Sequence, residues 1–92
     1  MHVYIIQCGD TTAYKVGISV DPRRRLQQLQ TGCPHRLKLL FNINVPNARG
    51  IEHAIHAVLI DHGVHILNEW FTLTNDDVVS IARQLIRHSD RA

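Results

Sequence analysis

The sequence predicts an α+β fold, with a small antiparallel or mixed sheet of about three strands flanked by helices. Three observations support this class. Two short strand-like segments open the chain, a segment of alternating apolar residues lies near its middle, and stretches with helical spacing separate and follow them. The 92 residues, of which 45% are hydrophobic, suffice for one core. We therefore expect a single domain over residues 1–92.

The strands are predicted from two different patterns. Residues 2–7 and 13–19 are rich in β-branched and aromatic side chains, and turn-forming residues separate them, so we expect an antiparallel hairpin. Residues 36–45 alternate apolar and polar side chains, which predicts a third strand, and only Leu40 interrupts the alternation. Residues 69–73 are expected to form an edge strand. The apolar face of the third strand would hold Leu37, Leu39, Phe41, Ile43 and Val45.

The first helix is predicted over residues 22–31, before the third strand. Asp21 can act as its N-cap, Pro22 suits the first helical position, and Gly32 can end the helix. Most of this helix is polar. Its inward face is therefore expected to hold only Leu26 and Leu29.

Two further helices are predicted in the second half of the chain. One is expected to begin after Asn47, as its cap, and to end at about residue 62. Thr74, with Asp77 three residues later, resembles a capping box that opens a final helix through about residue 88. The expected buried stripes are Ile51, Ala54, Ile55, Val58 and Leu59 in the first of these helices, and Val78, Ile81, Ala82, Leu85 and Ile86 in the second.

Composition narrows the classes of protein to which the chain can belong. Cys8 and Cys33 are too few for a disulfide scaffold and lack the spacing of a zinc site, so we expect both to be reduced, buried fillers. No apolar run approaches eighteen residues, and no export leader precedes the first strand. We therefore expect no contact with a membrane and a cytoplasmic location.

The distribution of charge says more than the net charge of +2. Six cations and one acid lie between residues 15 and 38, whereas the rest of the chain holds four arginines and seven acids. A positive half of this kind suits a polyanion such as DNA. The open alternative is a solvated helix face.

Several short motifs occur together in a set order. They are Val3-Tyr4 on the first strand, Lys15-Val16-Gly17 on the second, Arg25 in the first helix, Glu52 in the second helix and a late "EWF" element. With "YKVGIS", "DP", "RRL" and "LQTG", this set resembles the GIY-YIG nuclease family, in its phage and bacterial branch. The resemblance covers roughly residues 2–73. His2 stands where the first motif has glycine, and Lys15 stands where the second has tyrosine.

The resemblance implies a metal-dependent DNA endonuclease that hydrolyses phosphodiester bonds. Glu52 would bind Mg²⁺ or Mn²⁺, since Mg²⁺ prefers oxygen ligands and keeps much of its shell for water and phosphate. Arg25 would stabilise the phosphate with its planar guanidinium group. Tyr4 would accept a proton from the attacking water, and Lys15, on the adjacent strand, would favour its ionised form.

Further residues are candidates for the same site. Arg23, Arg24, Arg36 and Lys38 are expected to meet the nucleic-acid backbone in a salt-sensitive way. His56, four residues after Glu52, and Asn68 are possible auxiliary residues. The histidine that family members often carry four residues after the arginine is replaced here by Leu29. Two HxxH spacings, at residues 53–56 and 62–65, leave a structural zinc site as a weaker alternative.

Two other functions stay open at this point. The altered "HVY" and "KVG" motifs are compatible with a catalytically inactive nucleic-acid-binding module of the same fold. The basic patch is also compatible with a protein-interaction domain that binds an acidic partner. A domain this small is expected to lack its own targeting module, so its DNA specificity would come from a homodimer or from a separate targeting protein, or would be low.

Overall fold

The computed structural model describes residues 1–90 and has one five-stranded antiparallel sheet with helices on both faces. The strand order is β3-β1-β2-β5-β4, which confirms the predicted α+β class. The elements in chain order are β1 (His2–Cys8), β2 (Ala13–Ser19), α1 (Pro22–Gln30), β3 (Leu37–Asn44), α2 (Ala48–Asp61), β4 (His65–Leu67), β5 (Trp70–Thr72) and α3 (Asn75–Asp90).

The sheet has five strands rather than about three because the segment after α2 forms a hairpin of two three-residue strands. The edge strand expected at residues 69–73 is β5, but it lies inside the sheet between β2 and β4. β4 was not predicted, since all three of its residues are exposed and it has no apolar alternation. Asn68 turns the hairpin in the left-handed region, with a φ of 52°, a conformation that asparagine tolerates.

β3 contains a bulge that sends its apolar residues to both faces of the sheet. Its register against β1 shifts by one residue, so that Leu39 pairs with Ile6 and Phe41 pairs with Ile5. Leu40 is the extra residue and is exposed. The prediction of a single apolar face was therefore wrong. Leu37 and Leu39 pack on the side of α1, whereas Phe41, Ile43 and Val45 pack on the opposite side.

Two of the three predicted helix caps form as expected. The Asp21 side chain accepts a hydrogen bond from the Arg24 N–H at 3.2 Å. Thr74 and Asp77 form a reciprocal capping box, with side chain to backbone distances of 3.1 and 2.9 Å. Asn47 occupies the N-cap position of α2 but makes no capping hydrogen bond, because its backbone is left-handed with a φ of 53°.

Two apolar clusters of different size lie on the two faces of the sheet. The larger lies under α2 and α3 and includes Phe71 and Leu85, both fully buried. The smaller lies under α1, where Tyr4, Ile6 and Leu37 are buried and the predicted inward residues Leu26 and Leu29 pack partly exposed. Because of its bulge, β3 contributes residues to both clusters.

The predicted stripes of α2 and α3 are only partly buried. Ile55 of α2 and Ile81 and Leu85 of α3 are buried, whereas Ala54 and Val58 are exposed. A groove of about 650 Å³ runs between the two helices, and both exposed residues line it. These helices therefore meet the sheet more closely than they meet each other. Ile86 is also exposed, contrary to the prediction.

Both cysteines are free thiols and are half-buried. Burial and the neighbouring Cys33 raise the pKa of Cys8 above its ordinary value, which makes its thiol a poor nucleophile near neutral pH. Within residues 1–90, no helix has both the length and the apolar character needed to cross a membrane.

Candidate active site

Tyr4 is buried on β1 and lies directly across from Gly17 on β2. The two residues are partners in the antiparallel register, and Tyr4 is only 1% exposed. A Cβ atom added to Gly17 would come within 2.6 Å of the Tyr4 Cζ atom. Only glycine leaves room for the phenol ring here, which gives the glycine of the "KVG" motif a physical reason. The packing of two strands thus fixes the position of the Tyr4 hydroxyl.

The guanidinium group of Arg25, in α1, favours the ionised form of the Tyr4 hydroxyl. Burial raises the pKa of Tyr4, and a hydrogen-bonding interaction with Arg25 opposes that rise. The negative charges of Glu69 and Glu52 raise the Tyr4 pKa further, and overall it lies above its ordinary value. The phenol is therefore protonated near neutral pH. Arg25 is exposed and also donates a long hydrogen bond of 3.4 Å to Gln28 Oε1.

Lys15 was expected to lie near the Tyr4 hydroxyl, but its ammonium binds the carboxylate of Glu69. Its side chain is 8% exposed, and its ammonium donates to Glu69 Oε2 at 2.7 Å. The ammonium also lies 5.8 Å from the centroid of the Trp70 ring, within the range of a cation–π interaction. Because Lys15 is paired with Glu69, the cation that favours ionised Tyr4 in this geometry is Arg25.

Glu52 is buried on α2, and its carboxylate faces His56 one turn later. Glu52 Oε1 lies 3.8 Å from His56 Nδ1. The other ring nitrogen, Nε2, lies 2.7 Å from the carbonyl oxygen of Val16, so it carries a proton and donates it. Burial raises the pKa of Glu52, His56 lowers it and Glu69 raises it, with a net rise. The structure therefore brings His56, a possible auxiliary residue, into the site.

The site lies where β2 loses one of its two neighbouring strands. β5 pairs with β2 only along the first three residues of β2. At Val16, the N–H donates to the Glu69 carbonyl at 3.2 Å, and the carbonyl accepts from His56. The rest of β2 continues past the end of β5. Tyr4 lies on the α1 face of the sheet and Glu52 projects from α2 on the opposite face, and the charge of Glu52 contributes to the raised Tyr4 pKa.

The Glu52 carboxylate fits the role of a divalent-cation ligand. Within residues 1–90, no group of three or more His, Cys, Asp or Glu side chains is arranged to hold a metal ion. A single carboxylate suits Mg²⁺, which keeps several waters and binds substrate phosphates. Among the described residues, the one ion pair of Glu52 is the 3.8 Å contact with His56. Its oxygens therefore keep most of their capacity to bind a cation.

The cations predicted to bind nucleic acid lie near the two ends of α1. Arg23 and Arg24 are exposed on the first turn of α1, next to Arg25. Arg36 and Lys38 lie at the start of β3, near the other end of α1 and about 10 Å from Arg23 along the helix axis. The Lys38 ammonium there pairs with Asp10 at 2.6 Å. The predicted set is thus divided between the two ends of one helix.

Asn68 is exposed in the turn between β4 and β5, and the residue of this turn that reaches the site is its neighbour Glu69. The carboxylate of Glu69 binds Lys15, and its charge acts on both Tyr4 and Glu52. Sequence reasoning missed Glu69 as a site residue. Its signal was the "EWF" element, in which only the aromatic residues have an evident structural role.

One known domain family matches most of the chain. No curated protein and no solved structure is significantly similar to the chain. Residues 1–86 match the T5orf172 domain, a phage-associated domain related to GIY-YIG- and HNH-like nuclease folds. The match includes every element that contributes to the site and all of α1, α2 and the sheet. The chain therefore belongs to the T5orf172 domain family, whose members are nuclease-like.

Proposed function

We propose that this domain is a metal-dependent DNA endonuclease of the GIY-YIG type. The observation that carries the proposal is the convergence of Tyr4, Arg25 and Glu52. The Tyr4 ring is held on β1 against Gly17 of β2, and the charges of Arg25 and Glu52, from helices on opposite faces of the sheet, both influence its pKa. Perturbed titratable groups that converge in this way are typical of catalytic sites.

Each residue has a role suited to phosphodiester hydrolysis. Arg25 is exposed at the site, so its planar guanidinium group can bind two non-bridging phosphate oxygens at once. Glu52 would hold the cation, which supplies charge stabilisation at the phosphate. Arg23 and Arg24, the two residues before Arg25 in α1, would contact neighbouring phosphates. We therefore expect one phosphate backbone to run along the first turn of α1 and into the site.

Tyr4 would orient the attacking water and accept its proton. Because the Tyr4 pKa is raised, the fraction in the ionised form rises about tenfold per pH unit throughout the neutral range. We expect the cleavage rate to rise with that slope between about pH 7 and pH 9. Tyr4→Phe should abolish both the rate and its slope. Tyr14→Phe is the matched control, since Tyr14 is buried among the residues of the other cluster.

A second candidate is a nucleic-acid-binding module without catalysis. Two observations favour it: the Tyr4 pKa is raised overall, and the Lys15 ammonium is occupied by Glu69. Such a module would keep the exposed arginines of α1 and bind DNA in a salt-sensitive way. The two candidates differ in whether Glu52 matters, because a binding module has no use for a buried carboxylate.

The experiment that tests the proposal is nicking of supercoiled plasmid DNA in Mg²⁺, Mn²⁺ or EDTA. The wild type should nick in either metal and not in EDTA, and Glu52→Gln should lose at least about 100-fold of the rate. Asp61→Asn, an exposed acid at the end of the same helix, should leave the rate unchanged. Salt-sensitive DNA binding with no nicking in either metal would instead establish the binding module.

The partner arrangement is tested in the same preparation. We propose DNA as the substrate, with a homodimer or a separate targeting protein supplying specificity. Sedimentation of the protein with and without duplex DNA distinguishes these, because only a homodimer would bring two sites to one duplex without another protein. A monomer at all concentrations would remove the homodimer from the proposal.

A further inference from the structure

The ion pair between Lys15 and Glu69 is a feature that the proposed chemistry does not use. The two residues are 54 positions apart, and their charged atoms are 2.7 Å from each other. The Lys15 side chain is 8% exposed, whereas that of Glu69 is 39% exposed. A buried ammonium needs a partner, because desolvation without one is costly. Glu69 is that partner.

Backbone contacts deliver the Glu69 carboxylate to this position. The Glu69 carbonyl accepts a hydrogen bond from the Val16 N–H at 3.2 Å, which ties the β4–β5 turn to β2. Trp70, the next residue, pairs with Lys15 in the sheet, and its ring lies under the ammonium. The Lys15 ammonium is thus confined by a carboxylate and by an aromatic ring.

This confinement has a consequence for a lysine in particular. A lysine side chain has a flexible four-carbon stem, and its charge takes up a single position only where something holds it. Lys15 pairs with Ile6 on β1, two residues from Tyr4 and on the same face of the sheet. A fixed ammonium there is beside the site, and a released one would sample several positions around it.

We propose that Glu69 is a positioning residue of the site, which holds the Lys15 ammonium on the same face of the sheet as Tyr4, where its charge adds to that of Arg25 in stabilising the substrate phosphate. The proposal rests on the proposed endonuclease function. Glu69 acts through Lys15 and need not touch the substrate. Its removal should therefore change turnover rather than DNA affinity, and only while Lys15 is present.

The kinetic test uses Glu69→Gln, Glu69→Asp, Lys15→Met and the double variant Lys15→Met/Glu69→Gln. Glu69→Gln should lower kcat about 10- to 100-fold with KM unchanged, and Glu69→Asp should recover part of the loss. The double variant should be no slower than Lys15→Met alone. Additive losses, or a fall in thermal stability with kcat intact, would overturn the proposal in favour of a structural role.

Asp10→Asn is the matched control, since it removes the acid of the other lysine pair. Asp10 pairs with Lys38 at 2.6 Å but is 96% exposed and remote from Tyr4 in the β1–β2 turn. We expect it to leave kcat unchanged. An equal loss of kcat in Asp10→Asn and Glu69→Gln would show a general effect of charge and would count against a specific role for Glu69.

A second measurement does not depend on activity. Lys15 and Lys38 are the two lysines of the chain, so reductive methylation with ¹³C-formaldehyde yields two resolvable lysine signals beside that of the N-terminus. Lys15 should react more slowly than Lys38 in the wild type and faster in Glu69→Gln. If the wild type cuts no DNA while Lys15 is released in this way, the endonuclease function fails and the positioning of Lys15 stands. Unchanged Lys15 reactivity in Glu69→Gln overturns the positioning even in an active nuclease.

Discussion

The two faces of the sheet differ in what they contribute. Among the described residues, the cluster under α2 and α3 has eleven buried members, whereas the cluster under α1 has three, and one of these is Tyr4. Lys15 and Arg25 also belong to the side of α1. The thinly packed face thus carries most of the proposed chemistry, and the thickly packed face carries the stability on which it depends.

This division is a physical requirement rather than a coincidence. Polar and titratable side chains contribute little to a core and cost free energy when buried, so they need a well-packed region elsewhere in the domain. Glu52 is the exception, since it projects from α2 on the thickly packed side. Its carboxylate lies beside His56, whose ring binds the Val16 carbonyl of β2, and its charge contributes to the raised Tyr4 pKa.

The largest predicted effect tests the difference in stability between the two faces. Leu85→Ala, in the larger cluster, should lower the free energy of unfolding by about 3 kcal/mol, because a fully buried leucine leaves a cavity. Leu26→Ala, in the partly exposed contact of α1, should cost only about 1 kcal/mol. Urea unfolding followed by circular dichroism measures both. Equal losses would contradict the division.

The next effect compares Gly17, in β2 of the sheet, with Gly50, in α2. Gly17→Ala should lower nicking activity about 100-fold, since its Cβ would displace the Tyr4 ring. Gly50→Ala introduces a similar overlap, at 2.6 Å from Asn47 Nδ2, but that side chain is exposed and can move. We expect full activity for Gly50→Ala and a slight gain in stability from its position in α2. Loss of activity in both variants would contradict this account of Gly17.

A smaller effect concerns the stability cost of Glu52. Its pKa is raised in the folded protein, so the folded state holds the proton more strongly than the unfolded state does. The contribution of Glu52 to stability is therefore greatest below its unfolded pKa and falls as pH rises through its folded pKa. Glu52→Gln should thus be more stable than the wild type in EDTA at pH 8, and this advantage should be smaller at pH 4. A stability difference between Glu52→Gln and the wild type that is the same at pH 4 and pH 8 would show that burial imposes no such cost.

The smallest effect concerns the cations at the far end of α1. Lys38→Gln should weaken DNA binding only slightly, because Lys38 is already paired with Asp10 and lies away from the site. Arg24→Gln, on the first turn of α1, should weaken binding more and reduce its dependence on salt concentration. Binding of a fluorescent duplex at two or more salt concentrations measures both. A larger effect for Lys38→Gln would mean that DNA follows β3 rather than the start of α1.

Local signals in the sequence were sufficient for much of this fold. Asp21 and the pair of Thr74 and Asp77 cap their helices as expected, because a capping contact involves residues only a few positions apart. The left-handed backbone of Asn47 and the exposure of Val58 were not predictable, since both depend on how α2 lies against distant elements.

The site was predictable only in part. Tyr4, Arg25 and Glu52 were identified from ordered motifs, and in the structure Arg25 and Glu52 both influence the Tyr4 pKa. The partner of Lys15 was not, because Glu69 lies 54 positions away and reaches it through a hairpin of two three-residue strands. A contact of that kind depends on the turn at Asn68, and no periodicity in the sequence reports it.

Because of the bulge at Leu40, the two halves of β3 pack on opposite faces of the sheet. Its first half can be redesigned to alter the seating of α1, and its second half to alter the main core, with little interference between the two. The same feature makes the strand intolerant of a change in length. Deleting Leu40 would restore a regular pleat and turn one half of β3 over, so that its leucines or its Phe41 and Ile43 would face the wrong side. The number of residues in β3 is therefore a tighter constraint on the fold than the identity of its exposed side chains.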